Sequence, residues 1–178
     1  MRVRASAILW LAVSVTCALP LQAQTSGAAV SARDFVRKFY RWYVPEALKQ
    51  RRQPASDLAL QHRSQAFSPE LLRALMKDSE AQSRVKGVIV GLDFDPFLNT
   101  QDPCEAYELG DITQQGNDYW VEVYSICSGK KAEHPDVICG VQGINGHWMF
   151  ANFFYKNNGT DLLSTLKLLR QERQKSSR

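Results

Sequence analysis

The chain has 178 residues, of which 44% are apolar and 22% are charged, and its formal net charge is +4. This length suits one domain with its own core, and so apolar a composition excludes a disordered chain. The content of 10 glycines and 7 prolines excludes collagen-like and low-complexity classes.

The N-terminus has the pattern of a secretory signal peptide. Arg2 and Arg4 precede a short apolar stretch that ends at Pro20, and Ala23 is a small residue at a suitable cleavage position. We therefore predict a signal peptide over residues 1–23 and a mature protein that is periplasmic or secreted.

Two other interpretations of this segment are weaker. A membrane anchor needs about 20 apolar residues, and the polar residues after Pro20 end the stretch early. Lipid attachment through Cys17 is disfavoured because Thr16 is not the small residue that such a cysteine normally follows.

Cleavage would change the charge and leave no membrane span. Loss of Arg2 and Arg4 lowers the formal charge from +4 to +2, and no later apolar run is long enough to cross a bilayer. A chain this close to neutral has no general reason to bind nucleic acid, so we expect no nucleic-acid partner.

Three cysteines remain in a compartment that permits disulfides. A hairpin turn predicted at residues 114–117 brings Cys104 nearly opposite Cys127, which favours that disulfide. A bond between Cys127 and Cys139 is the alternative that spacing leaves open. Because no CxxC and no close His–Cys pair exists, we expect no metal and no cofactor.

Helices dominate the first half of the mature chain. After a polar linker over residues 24–30, Ser31 is a plausible cap for an aromatic amphipathic helix that ends or kinks at Pro45. Ser68 and Pro69 start another helix, which runs to about residue 84. Its predicted buried stripe consists of Leu71, Leu72, Leu75 and Met76.

The second half predicts an antiparallel sheet and a closing helix. Apolar and aromatic segments separated by turn signals at residues 114–117 and 143–146 indicate four strands, at residues 104–113, 118–127, 136–142 and 147–155. A leucine-rich helix follows Asp161. This order predicts an α+β fold, with N-terminal helices packed on a curved antiparallel sheet of about four strands and a C-terminal helix. The single domain spans residues 31–172, followed by a flexible basic tail over residues 173–178.

The most unusual stretch is the acidic loop, which we define as residues 91–102. Its polar groups could hold a hard cation or a polar ligand, but Phe97 stands at the third ligand position of an EF-hand pattern. The simpler interpretation is that the aspartates accept backbone hydrogen bonds in turns around Pro96, while Phe94 and Phe97 enter the core. The ligand-binding candidates in this loop are Asp93, Asp95, Asn99, Gln101 and Asp102.

Aromatic residues supply the remaining ligand-binding candidates. Tyr40, Trp120 and Tyr124, with Tyr43 and Trp148, could line an apolar pocket, although such aromatics more often belong to the core. No catalytic triad, phosphate-binding glycine loop or HExxH motif is present, so we assign no catalytic residue.

Several of these segments resemble one known family. They are residues 39–44, Leu71 and Leu72 after Ser68 and Pro69, residues 93–102 with their Asp-Pro-Phe-Leu-Asn-x-Gln-Asp core, residues 120–123, and residues 161–166. Together they resemble a family of small secreted or lipid-anchored bacterial proteins of unknown function, placed among the nuclear-transport-factor-2-like, cystatin-like cone folds. The resemblance covers about residues 31–170. It implies a Gram-negative periplasmic protein with a curved sheet wrapped on helices, and it carries no catalytic residues.

Two functional hypotheses follow. The first is a non-enzymatic envelope protein that binds a protein partner, as an accessory subunit or as an inhibitor of a delivered toxin. The second is a small-ligand carrier or enzyme that uses an apolar pocket at the mouth of the cone. Charge segregation favours the first, because residues 87–129 carry eight acidic residues and no Lys or Arg, whereas residues 31–86 carry twelve basic and six acidic residues.

Overall fold

The structure, a computed structural model, describes residues 21–49 and 52–176, with side chains described from residue 27 onward. Most of the predicted signal peptide therefore lies outside the described residues. The helices are α1 (Leu21–Ala47), α2 (Ala55–His62), α3 (Pro69–Ser83) and α4 (Leu162–Ser176), and a short 3-10 turn spans Ser64–Ala66. The strands are β1 (Ala106–Gln115), β2 (Asp118–Cys127), β3 (Lys130–Lys131), β4 (Val137–Ile144), β5 (His147–Tyr155) and β6 (Thr160–Asp161).

The fold is α+β, as predicted, but the sheet formed by the described residues has six strands rather than about four. All strand pairs are antiparallel, in the order β1-β2-β4-β5-β6, and β3 pairs with β2. The four long strands are the predicted ones. The two extra strands have two residues each; their existence depends on the neighbouring strand, because so short a segment has no hydrophobic period of its own.

One face of the sheet packs on the helices. Val121, Val123, Cys139 and Phe150 are fully buried in a core shared with Val36 of α1. The antiparallel register shifts at two points: between Leu109 and Ile112 on β1, and at Ala151 on β5, which lies opposite the step from Gly140 to Val141. A bulge of this kind increases the local twist of its strand, so it helps the sheet to curve.

Helix α1 begins earlier than predicted. It runs without interruption from Leu21 through the predicted linker, and Ser31 is not its cap. The Ser31 hydroxyl instead accepts a hydrogen bond of 2.8 Å from the Trp148 indole N–H. Ala28 and Ala29 pack against the core, and this packing offsets the cost of about 1 kcal/mol for a helical glycine at Gly27.

Helix α3 begins where predicted but buries a different stripe. The Ser68 hydroxyl accepts the Leu71 backbone N–H, as a capping serine does. Leu71 and Leu75 are buried as expected, whereas Met76 is 55% exposed and Asp78 is 5% exposed. The inclusion of Met76 in the buried stripe was therefore wrong; positions 71, 75 and 78 form the inward face.

Helix α4 includes part of the predicted flexible tail. The Asp161 carboxylate accepts the Ser164 backbone N–H at 3.0 Å and so caps the helix. The helix continues through Ser176, and Arg173 donates to Asp78 at 2.7 Å and to the Val90 carbonyl at 2.6 Å. These contacts fix residues that have no apolar pattern and therefore resembled a tail.

The predicted disulfide joins Cys104 to Cys127, with the two Cα atoms 4.9 Å apart. Cys139 is a buried free thiol. The pairing left open by the spacing is thus decided by the β1–β2 hairpin, in which Ala106 faces Ile126 and the chain before β1 lies beside the end of β2.

Candidate functional site

The acidic loop folds into a compact turn centred on Asp95. The Asp95 carboxylate accepts the backbone N–H groups of Phe97 at 2.9 Å and Leu98 at 3.2 Å. Its backbone N–H donates to the Thr100 carbonyl at 2.8 Å, which closes the turn. The prediction of an aspartate-capped turn around Pro96 is therefore confirmed for Asp95.

Tyrosine hydroxyls hold this turn against the core. Their donations are Tyr43 to the Asp95 carboxylate (2.5 Å), Tyr40 to the Phe97 carbonyl (2.6 Å) and Tyr155 to the Pro96 carbonyl (2.8 Å). Because two of these tyrosines lie on α1 and one lies on β5, hydrogen bonds through the loop connect α1 to β5.

Burial perturbs the protonation of this cluster. Removal from water raises the pKa of Asp95 from 3.8 to about 6, against the opposing effect of its hydrogen bonds from Tyr43, Phe97 and Leu98. Burial and the nearby carboxylate also raise the pKa of Tyr43 well above its usual value. The tyrosines are therefore neutral donors throughout the pH range in which Asp95 titrates.

Aromatic rings fill the space between α1 and the sheet. Phe97 is fully buried, and its ring centre lies 5.6 Å from that of Phe39 and 5.0 Å from that of Phe153. Phe94 packs edge-on against Tyr155 at 5.5 Å. Both phenylalanines of the loop thus contact core aromatics, as expected, and Tyr40 and Tyr43 belong to the same packed interior.

An open groove lies beside this packed interior. It has a volume of about 1060 Å³ and is bounded by α2, α3 and residues 92–103. Apolar side chains form part of its wall: Leu48, Leu60, Ile89, Leu92 and Phe94. Leu48 is 44% exposed and Ile89 is 66% exposed. Lys49 also lines the groove, but acidic residues outnumber it. We call this feature the acidic groove, because five aspartates line it: Asp57, Asp78, Asp93, Asp95 and Asp102.

Two of the groove aspartates stabilise its walls. Asp78 accepts Arg173 and the Leu92 backbone N–H at 2.8 Å, so it ties α3 to α4 and to the acidic loop. A Cβ on Gly91 would lie 2.7 Å from the Asp78 carboxylate, and this close approach explains the glycine. Asp57 accepts the Ser79 hydroxyl at 2.7 Å.

Two other groove aspartates remain open. Asp93 and Asp102 are exposed, and neither carboxylate has a hydrogen bond or ion pair to another residue in the described parts of the chain. Lys49 pairs with Glu46 at 2.6 Å. The groove therefore presents unpaired negative charge beside exposed apolar side chains.

The predicted ligand-binding residues do not form one site. Asp93, Asp95, Gln101 and Asp102 line the acidic groove, where Gln101 donates to the Asp93 carbonyl at 2.9 Å. Asn99 has a φ of 54° and donates to the Asp136 carbonyl at 3.2 Å, so it positions the loop against the start of β4.

The predicted aromatic pocket is divided by the sheet. Tyr40 is buried on the helix side, and its hydroxyl lies 3.4 Å from the Cys139 sulfur. Trp120 and Tyr124 lie on the opposite face, because their neighbours Tyr119, Val121 and Val123 point into the core. The grouping of these three aromatics in one pocket was therefore wrong; alternation along β2 separates them.

Sequence reasoning missed Asp57 and Asp78 as groove residues. For Asp78 a signal existed, since it follows Leu71 and Leu75 on one helical face and a buried acid needs a partner. Asp57 offered no such signal. In the described part of the chain, no cluster of three or more His, Cys, Asp or Glu residues could hold a metal ion, and no helix is both long and apolar enough to cross a bilayer.

Comparisons with known proteins bear on the fold alone. No family model and no curated protein matches the chain. It is similar to a crystal structure of a protein of unknown function from Bacteroides thetaiotaomicron VPI-5482, with a TM-score of 0.54 and 17% sequence identity. The match covers 75% of this chain and 95% of that one.

Proposed function

We propose that this protein is a non-enzymatic binding protein of the cell envelope, and that its acidic groove binds a basic, partly apolar segment of a protein partner. One observation carries the proposal: the groove combines exposed apolar side chains with the carboxylates of Asp93 and Asp102, which have no partner among the described residues. Apolar surface supplies affinity for a partner, and unpaired charge selects a partner of opposite sign.

The surroundings of Asp95 support a binding role. Its carboxylate already accepts two backbone N–H groups and one tyrosine hydroxyl. A general base needs a lone pair directed at its substrate, whereas these three donors hold the Asp95 carboxylate within its own loop. Asp95 therefore shapes the groove, and the exposed aspartates on either side of it contact the partner.

The compartment and the finer fold class are part of the same proposal. The signal-peptide pattern and the Cys104–Cys127 disulfide both favour an oxidising compartment such as the periplasm. The bulges in β1 and β5, which favour a twisted and curved sheet, and the packing of α1 on one face of that sheet support a nuclear-transport-factor-2-like cone. Membership of the secreted bacterial family described above stays a prediction.

The test compares two double variants with equal changes of charge. Asp93→Asn with Asp102→Asn removes the open groove charges, while Glu133→Gln with Glu172→Gln removes two exposed charges elsewhere. Tagged proteins are incubated with envelope extract, the partner enriched by the native protein is purified, and its affinity for each variant is measured by calorimetry.

We expect the groove variant to bind the partner about tenfold more weakly and the control variant to bind like the native protein. Equal affinity for both variants would exclude the acidic groove as the binding site. Recovery of no partner above an untagged control would contradict the envelope-binding function as a whole.

A small-ligand carrier or enzyme is the second candidate, favoured by the groove volume of about 1060 Å³ and by a pKa near 6 for Asp95 in its wall. Native mass spectrometry of protein purified from its own envelope separates the two. A stoichiometric adduct of small mass that is lost in the Asp93→Asn, Asp102→Asn variant would favour this candidate, whereas a bare protein chain is expected from our proposal.

A further inference from the structure

One edge of the sheet lies at β1, and β6 lies at the other. Strand β1 stands at the end of the strand order, so it has a neighbouring strand on one side only among the described residues. On β2, which pairs with β1, the Val123 carbonyl accepts the Asp136 N–H at 3.0 Å and the Ser125 carbonyl accepts the Ala132 N–H at 2.9 Å. Both carbonyls therefore point away from β1. In an antiparallel pair, the residues opposite them direct their own N–H and C=O groups outward. These residues are Leu109 and Tyr107.

Part of this edge is already closed by α1. The Arg33 guanidinium donates to the carbonyls of Leu109, at 2.8 Å, and Gly110, where β1 bulges. The N–H and C=O of Tyr107 receive no such partner from the described residues. The open section of the edge is therefore the N-terminal half of β1.

A second groove follows this open section. It has a volume of about 520 Å³ and lies between α1 and residues 105–109 of the edge. Its helix wall carries Arg33, Arg37 and Arg41, one turn apart on one face.

The arginines are the available charges of this groove. Arg41 is exposed and has no hydrogen bond or ion pair to another described residue, and Arg37 has only a half-exposed pair with Asp34. The two glutamates of the strand wall are engaged. Glu105 accepts the Gly129 N–H at 2.9 Å, and Glu108 pairs with Lys131 at 3.0 Å.

The spacings of helix and strand agree. Residues four apart on a helix rise by about 6 Å, and alternate residues of an extended strand are separated by about 6.8 Å. Arg33, near the start of the groove's helix wall, contacts Gly110 of β1, whereas Pro45, twelve residues later, lines the same groove as Glu105. Helix α1 therefore runs antiparallel to β1. Alternate side chains of a peptide on the β1 edge would therefore meet successive arginines.

We propose that the β1 edge binds an extended segment of a protein partner with acidic side chains at alternate positions, which adds a strand beside Tyr107 and pairs its carboxylates with Arg37 and Arg41. Backbone hydrogen bonds supply affinity in this mode, and the arginine row supplies specificity. The site shares no lining residue with the acidic groove, so it adds a second interface to the proposed function.

The probe is the fluorescein-labelled peptide Thr-Glu-Val-Glu-Val-Glu-Thr, titrated into the full mature protein by fluorescence anisotropy. Three control peptides carry Gln in place of Glu, N-methyl groups on the odd-numbered amides, or N-methyl groups on the even-numbered amides. Arg41→Gln is compared with Lys38→Gln, which removes an equal charge from the same helix outside the groove. Hydrogen exchange of the Tyr107 amide is followed with and without peptide.

We expect binding below about 1 mM, a loss of about fivefold with Arg41→Gln and none with Lys38→Gln. One of the two N-methylated peptides should bind at least about tenfold more weakly while the other is unaffected, and the Tyr107 amide should exchange more slowly with peptide bound.

Absence of binding would overturn the proposal. So would equal effects of the two N-methylated peptides, because strand pairing uses alternate amides only. Equal effects of Arg41→Gln and Lys38→Gln would remove the arginine row from the interaction. Unchanged binding in the Asp93→Asn, Asp102→Asn variant is expected, and it separates this site from the acidic groove.

Discussion

Replacement of Asp95 by Asn should stabilise the protein at neutral pH, although it removes a side chain with three hydrogen bonds. Asparagine has nearly the same shape and keeps an oxygen for the Phe97 and Leu98 N–H groups. Its amide N–H₂ can donate to the Tyr43 hydroxyl, which reverses the direction of the 2.5 Å bond. The variant therefore resembles the protonated form of Asp95.

The magnitude follows from the pKa of Asp95. Burial raises this pKa from 3.8 to about 6, so the folded state holds the proton more tightly than the unfolded chain does. At about 1.4 kcal/mol for each pH unit, this difference contributes at most about 3 kcal/mol of stability. The contribution is complete below pH 3.8 and is lost as the pH rises through about 6. The nearby tyrosines Tyr40, Tyr43 and Tyr155 stay protonated over this range, because burial raises their pKa values further.

The assay is urea unfolding at several pH values between 4 and 7, for the native protein, Asp95→Asn and the control Asp93→Asn. The control removes the same charge from an exposed position on the same loop. We expect the free energy of unfolding of the native protein, relative to Asp95→Asn, to fall by up to about 3 kcal/mol from pH 4 to pH 7. A free energy of unfolding of the native protein, relative to Asp95→Asn, that does not change with pH or that rises with pH would refute this account of Asp95.

Four further predictions concern the core and the cysteines. Tyr43→Phe should lower the free energy of unfolding by about 1–3 kcal/mol above pH 6 and by less at pH 4, because the hydroxyl stabilises ionised Asp95 more than neutral Asp95. Urea unfolding at both pH values measures this loss, and equal losses at the two pH values would contradict the prediction. Replacement of Cys104 and Cys127 by Ser should lower stability by about 3 kcal/mol, as expected for a disulfide that spans 23 residues, and a loss well below about 1 kcal/mol would show that the bond constrains little. Mass spectrometry of non-reduced peptides should find these two cysteines joined. Cys139 should react with a thiol reagent only after unfolding, because burial raises its pKa to about 12, and rapid labelling of the native protein would contradict its burial.

Local patterns in the sequence determined several elements. Ser68 followed by Pro69 fixes the start of α3, since a capping hydroxyl and a residue without an N–H both suit that position. A run rich in aromatic and β-branched residues predicts β2, and the period of two along a strand assigns Tyr119, Val121 and Val123 to one face. The turn around Asp95 was also predictable, because an aspartate beside proline accepts nearby backbone N–H groups.

Contacts between distant residues decided the rest. The start of α1 depends on the packing of Ala28 and Ala29, and the order of α4 at Arg173 depends on Asp78, which lies 95 positions away in the chain. The side-chain environment of Asp95 likewise depends on a distant residue, because its hydrogen-bond donor Tyr43 lies on α1.

Both binding surfaces are products of the tertiary structure. The acidic groove exists because α2, α3 and the acidic loop meet, and the charge of Asp93 gains its significance from the apolar wall beside it. The second groove exists because α1 places Arg41 beside the section of the β1 edge where the backbone N–H and C=O of Tyr107 have no partner among the described residues. Sequence by itself determined the positions of the long strands, the start of α3 and the Asp95 turn, because those depend mainly on neighbours within a few residues. Only the fold decided the start of α1, the end of α4, the two short strands and which charges remained unpaired, because these depend on residues that are distant in the chain and near in space.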